Sequence, residues 1–212
     1  MLTLFGSAGS GSAAVELALL RCGLAYQVRR ASTWEADSAQ TELQRANPLG
    51  QIPALLLGDG SVLTESAAIL IHLGLAYPAS RLLPVDAAAR AQALRGLVFI
   101  AANCYAAVGV IDYPERWCVA GADAATHESV RQGARARLYG YWDVFADQFG
   151  GGTGPYLSGD EPAALDFLAA VVSRWSGARK HLGESRPALL DRLQRVQAHV
   201  LAAPIFSRHW PE

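Results

Sequence analysis

The spacing of apolar and polar positions divides this chain into two stretches with different periods. Leu2-Thr3-Leu4-Phe5 reads as a strand, and small residues fill a loop from Gly6 to Ser12. An apolar run from Ala13 to Cys22 has helical spacing, with Gly23 placed as a C-cap. Tyr26 to Arg29 predicts a second strand, so the chain opens as a strand-helix-strand crossover. Residues 32–46 are polar and weakly helical. Ile52 to Leu57 predicts a strand, Gly58-Asp59-Gly60 a tight turn, and Ser61 to Leu63 the returning strand. Ala67, Ile69, Leu70 and Leu73 lie on one face of a helix predicted from Glu65 to Ala76. The order βαβ-α-ββα is complete near residue 76.

Beyond a linker from Tyr77 to Pro84 the two-residue alternation disappears. Asp86 to Val110, Thr126 to Phe149, Ala163 to Ser176 and Pro187 to Leu201 all read as helices. The expected fold class is therefore α/β + all-α, with domains at 1–77 and 86–212. Composition suits two packed domains: 51% of the 212 residues are hydrophobic and 17% charged. A formal net charge of -1 gives no electrostatic footprint for nucleic acid or an acidic membrane. Cys22, Cys104 and Cys118 are too few and too irregularly spaced for a disulfide framework or a zinc site, and the five histidines are scattered, so no metal is expected. Apolar stretches broken by Arg, Asp or Gly and the lack of a leader pattern predict a cytoplasmic protein with no membrane partner.

Two segments carry candidate chemistry. In Asn47-Pro48-Leu49-Gly50-Gln51-Ile52-Pro53 a turn runs into a strand that opens with a proline, which cannot donate to a sheet ladder. A cis Ile52-Pro53 bond would leave the Ile52 N–H and C=O free to pair with an extended peptide; an ordinary trans proline on an edge strand is the plain alternative. In Leu63-Thr64-Glu65-Ser66 an acid and a hydroxyl stand where a strand meets a helix. They suit the ammonium and carboxylate of an α-amino acid, or simply a helix cap.

These segments, separated by one hairpin within the βαβ-α-ββα frame, resemble the glutathione transferase family. So do Leu2 to Tyr26, Leu83-Pro84 and Tyr156-Leu157-Ser158-Gly159-Asp160 with Asp166. The resemblance implies a thioredoxin-like N-terminal domain, a helical C-terminal domain, a homodimer, and glutathione as co-substrate. By position, Ile52 would clasp the cysteinyl backbone beside a cis Pro53, Gln51 would steady the peptide, and Glu65 with Ser66 would take the γ-glutamyl end. It also implies a hydroxyl or cysteine near the first helix that activates the sulfur for attack on a small hydrophobic electrophile. Ser10 is the first candidate and Ser12 the second, with Ser7 in the same loop; Gly11 stands where one bacterial class has cysteine. Tyr105, Tyr113 and Trp117 are expected to wall the electrophile pocket, with burial in the helical core as the alternative. Ala163 stands where relatives place a capping Ser or Thr. No Lys or His between residues 30 and 50 can hold the glycyl carboxylate, which leaves Arg45 or Trp34.

Two other readings compete. A non-catalytic glutathione-binding module would share every feature except turnover. A dinucleotide-binding oxidoreductase would use Gly9-x-Gly11-x-x-Ala14 with Arg29-Arg30, but the strand-helix alternation stops after one unit.

Overall fold

The computed structural model describes residues 1–32, 34–35 and 37–211. Its N-terminal part is a four-stranded sheet in the order β2-β1-β3-β4. These are β1 (Leu2–Gly6), β2 (Tyr26–Arg30), β3 (Ala54–Leu56) and β4 (Val62–Thr64). β1 pairs parallel with β2 across helix α1 (Ser12–Arg21), while β3 and β4 run antiparallel. Strand alternation distributes the core to both faces. Leu4 and Leu55 face α1 and α3 (Ser66–Ala76). Phe5 and Ala54 face the other way, onto Leu43 of α2 (Gln40–Ala46). The weakly helical segment thus condenses to one short helix; of that segment, Thr33 and Ala36 lie outside the described residues.

Gly23 ends α1 as expected. It takes a left-handed φ of 66°, its N–H reaches Leu20, and the Leu24 N–H reaches back to Leu19. β3 starts two residues later than the apolar run suggests, leaving Ile52 and Pro53 outside the ladder.

The helical part holds α4 (Ala87–Phe99), α5 (Ala106–Asp112), α6 (Ala124–Phe149), α7 (Ala164–Val172), α8 (Ala178–Ser185), α9 (Pro187–Ala198) and α10 (Ala203–His209). Sequence periodicity misses α8, which is mostly polar, and α10, which is two turns long. α4 and α5 form one rod interrupted by a π-helical turn at Ile100–Tyr105. Within this wider turn the Asn103 side-chain amide donates to the Phe99 carbonyl at 3.1 Å. By length and apolar character the Ala87–Asp112 rod could cross a membrane; here it packs against α6 and α7.

Every residue of α7 is buried, and one continuous core joins it to α1 and α3. Asp166 anchors its start. The buried carboxylate accepts from the N–H groups of Leu157 (2.7 Å), Ser158 (3.1 Å) and Ala163 (3.1 Å). Burial pushes its pKa up despite these bonds. A second buried carboxylate, Glu16 on α1, ties down the C-terminus. His209 Nε2 lies 2.6 Å away, the Tyr26 hydroxyl donates at 3.0 Å, and Arg208 completes the cluster. Burial alone would raise the Glu16 pKa; the His209 hydrogen bond and the Arg208 charge outweigh it and hold the carboxyl below its ordinary value.

Candidate functional site

A cleft of about 660 Å³ opens between the sheet domain and the α4–α5 rod. On the sheet side it is bounded by the α1 loop, the segment from Asn47 to Pro53, and Glu65 with Ser66. The five residues picked out for peptide binding therefore share one wall.

The Asn47–Pro53 loop is shaped by its own polar groups. The Asn47 side chain accepts from the Leu49 N–H at 3.2 Å and donates to the Gln51 carbonyl at 2.8 Å. Gly50 turns the chain at a φ of 63°, a conformation that favours glycine. The Ile52-Pro53 bond is cis. Among the described residues the Ile52 N–H and C=O make no backbone hydrogen bond. These two groups are thus left open beside the cleft, where an extended peptide could pair with them.

Glu65 and Ser66 lie on the same wall of the cleft. Glu65 has a φ of 63° and a ψ of 110°, in a region that non-glycine residues rarely occupy. Its side chain does not cap α3. The capping alternative therefore fails, and an exposed carboxylate remains beside the buried Ser66 at the first turn of an eleven-residue helix. The unpaired N–H groups and partial positive charge of such a terminus suit a carboxylate, and Glu65 suits an ammonium. Strain of this kind collects at ligand sites.

The three serines separate by position. Ser10 lines the cleft and is 6% exposed. Ser12 is fully buried inside α1, and Ser7 faces inward; neither borders the cleft. The Ser10 hydroxyl donates to the Ser7 carbonyl at 2.7 Å, lies 2.9 Å from the Ser12 hydroxyl, and accepts from the Ser12 N–H at 3.2 Å. No side chain caps α1, whose N-cap is Gly11.

Tyr105, Tyr113 and Trp117 all reach the opposite wall. Trp117 is 63% exposed, so burial in the helical core does not describe it. Among the further wall residues that sequence reading missed are Trp175, Asp112 and Arg116. Trp175 comes from the turn after α7, and its ring lies 5.3 Å from that of Tyr105. The Arg116 guanidinium sits 4.0 Å from the Tyr113 ring centroid. Of the two residues considered for the glycyl carboxylate, Trp34 borders the cleft and Arg45 does not. Cys104 is buried, and burial pushes its thiol up to about 12, which leaves it unreactive at neutral pH. Among the described residues no cluster of His, Cys, Asp or Glu could hold a metal ion.

With this geometry in place, similarity to known proteins becomes specific. The profile of the glutathione S-transferase N-terminal domain matches residues 12–76. The uncharacterized GST-like protein YncG of Escherichia coli K12 is 36% identical over 176 residues, which cover 82% of each chain. A glutathione transferase homolog from Sulfitobacter, crystallised with bound glutathione, superposes with a TM-score of 0.84 at 25% identity, over 97% of this chain and 96% of that one. A glutathione transferase from Methylococcus capsulatus gives 0.78 at 26% identity, over 99% and 98%.

Proposed function

Because the chain belongs to the glutathione S-transferase family, we infer that its cleft binds glutathione and transfers the thiolate to a small hydrophobic electrophile. The observation that carries this reading is a pair of recognition elements on one wall of the cleft. The unpaired Ile52 backbone groups stand together there with the strained, uncapped Glu65 beside Ser66. Glutathione is a γ-linked tripeptide, with an amino-acid head and a peptide body. Glu65 takes the γ-glutamyl ammonium, and the Ser66 hydroxyl and the α3 N-terminus take its carboxylate. The Ile52 N–H and C=O pair with the cysteinyl residue, and Gln51 flanks it. This lays the sulfur toward the N-terminus of α1, where partial positive charge and the Ser10 hydroxyl favour the thiolate. The electrophile enters the aromatic half walled by Tyr105, Tyr113 and Trp117. Glutathione binding belongs to residues 1–77 and electrophile binding to 86–212, in a cytoplasmic homodimer.

A second reading, glutathione binding without turnover, draws on one observation: the Ser10 hydroxyl has acceptors within its own loop, the Ser7 carbonyl at 2.7 Å and the Ser12 hydroxyl at 2.9 Å. The two separate in a single experiment. On the transferase reading, the protein is retained on glutathione resin and conjugates a generic aryl halide, and Ser10→Ala lowers kcat/KM. Retention without turnover of any aryl halide or isothiocyanate would establish the binding module. Failure of retention would refute both.

A further inference from the structure

We propose that the hydroxyl of Tyr105, supplied by the helical domain, is a second donor to the glutathione sulfur, occupying the place that a side chain at position 11 would fill. The inference rests on the glutathione reading of the cleft and names its reacting end. Tyr105 closes the π-helical turn, lines the cleft, and is held by the Trp175 ring. A Cβ added to Gly11 would overlap the tyrosine hydroxyl and stand 3.2 Å from Cζ. The hydroxyl thus rests against the backbone at the start of α1, and the Gly11 N–H faces it. It is also close enough to Glu65 to feel that charge, which places it between the α1 terminus and the proposed γ-glutamyl site.

The two candidate donors differ in what their protons already do. Ser10 has one hydroxyl proton, and two acceptors of its own loop compete for it, the Ser7 carbonyl at 2.7 Å and the Ser12 hydroxyl at 2.9 Å. Among the described residues the Tyr105 hydroxyl has the Gly11 N–H beside it and donates to no acceptor, which leaves its proton to a ligand. Burial, with the charges of Glu65 and Asp112, pushes the phenol up to about 12, so it stays protonated at neutral pH. It therefore acts as a hydrogen-bond donor and not as a base. The thiol proton leaves to solvent, and Tyr105 keeps its own proton and stabilises the sulfur anion. The sulfur lone pair then forms the S–C bond as the C–halogen bond breaks, and that electron pair departs with the halide. Of the two hydroxyls, Tyr105 contributes more.

The test compares wild type, Tyr105→Phe, Gly11→Ala and Ser10→Ala. Calorimetry measures glutathione affinity, ultraviolet absorbance follows thiolate formation in the complex against pH, and aryl halide conjugation gives kcat/KM. Tyr105→Phe keeps the ring contact with Trp175 and removes one donor. Glutathione affinity stays within about twofold, the bound thiol titrates about one unit higher, and kcat/KM at neutral pH falls about tenfold. Above that shifted titration the variants converge, which a merely structural role would not produce. Gly11→Ala leaves the hydroxyl in the chain but displaces it, and it shifts the titration in the same direction; it carries the test should the phenylalanine variant fail to fold. A wild type that binds glutathione, with unchanged thiol titration in both variants, overturns the tyrosine donor alone. A wild type that binds no glutathione overturns the reading of the cleft, and this proposal falls with it.

Discussion

His209→Ala tests whether the buried Glu16 cluster holds the C-terminal helix in place. The Glu16 side chain is 2% exposed and His209 Nε2 lies 2.6 Å from it, so the substitution strips a charge-assisted hydrogen bond from a carboxylate that cannot reach water. Such a bond contributes about 1.5–3 kcal/mol, and the remaining charge is only partly compensated. Tyr26 stays, at 3.0 Å, but the Arg208 side chain is 57% exposed, and its attraction is screened. A loss of about 3 kcal/mol is expected, equivalent to a melting temperature about 6–12 °C lower for a chain of this size. Thermal unfolding followed by circular dichroism at neutral pH measures it. Hydrogen exchange adds a local readout: amides of α10 should lose protection while those of α6 keep theirs. In a Glu16→Gln background the same substitution should cost less than about 1 kcal/mol, because the coupling resides in the carboxylate. A drop below about 2 °C in wild type, or an equal drop in both backgrounds, would refute the argument. The sign with pH follows from the lowered Glu16 pKa. The cluster stabilises the fold above the ordinary carboxyl value of 4.5, and that contribution is lost as pH falls through the depressed one. The stability gap between wild type and Glu16→Gln should therefore shrink in acid; a gap that widens below pH 4.5 contradicts the assignment.

Two further outcomes follow from backbone geometry. Glu65→Gly relieves a left-handed non-glycine conformation and should stabilise the fold by about 1 kcal/mol while abolishing retention on glutathione resin; a variant that binds as wild type removes Glu65 from the site. Ala163→Ser supplies the missing cap at the start of α7, where the backbone is already extended, and should add about 1 kcal/mol, read as a melting temperature about 2–4 °C higher; no increase would show that the buried position has no room for the oxygen.

Much of the sheet domain was legible because its signals are local. Gly23 caps α1, Gly58 to Gly60 turns the hairpin, and the paired segments around Ile52 and Glu65 frame one wall of the cleft. The plain alternatives at those segments could be decided only by backbone angles: a cis bond at Pro53, and a Glu65 side chain that caps nothing. The choice among Ser7, Ser10 and Ser12 was beyond sequence reasoning, since all three sit in one stretch of small residues and differ only in which way they face. Trp175 escaped notice because the sequence pattern carried a helix on to Ser176, whereas α7 ends at Val172 and Trp175 sits in the turn beyond it. Tyr105 was expected in the cleft as an apolar wall; its nearness to Gly11 joins residues far apart in sequence and carries no local signal.

The π-helical turn at Ile100–Tyr105 has a consequence for how this cleft can change over time. An α-helical residue occupies about 100° of rotation, so one residue gained or lost in a turn swings everything beyond it by about that angle. The rod therefore runs in two phases: α4 is keyed to the interior through Leu97, while the stretch beyond Tyr105 offers Gly109, Asp112 and Tyr113 to the cleft. Deleting one residue inside the turn would re-aim that whole set of side chains at once, without altering any of them. The set of side chains that faces the cleft is thus open to change by helical phase as well as by residue identity, and the Asn103 amide, bonded to the Phe99 carbonyl, lies inside the turn that sets the present phase.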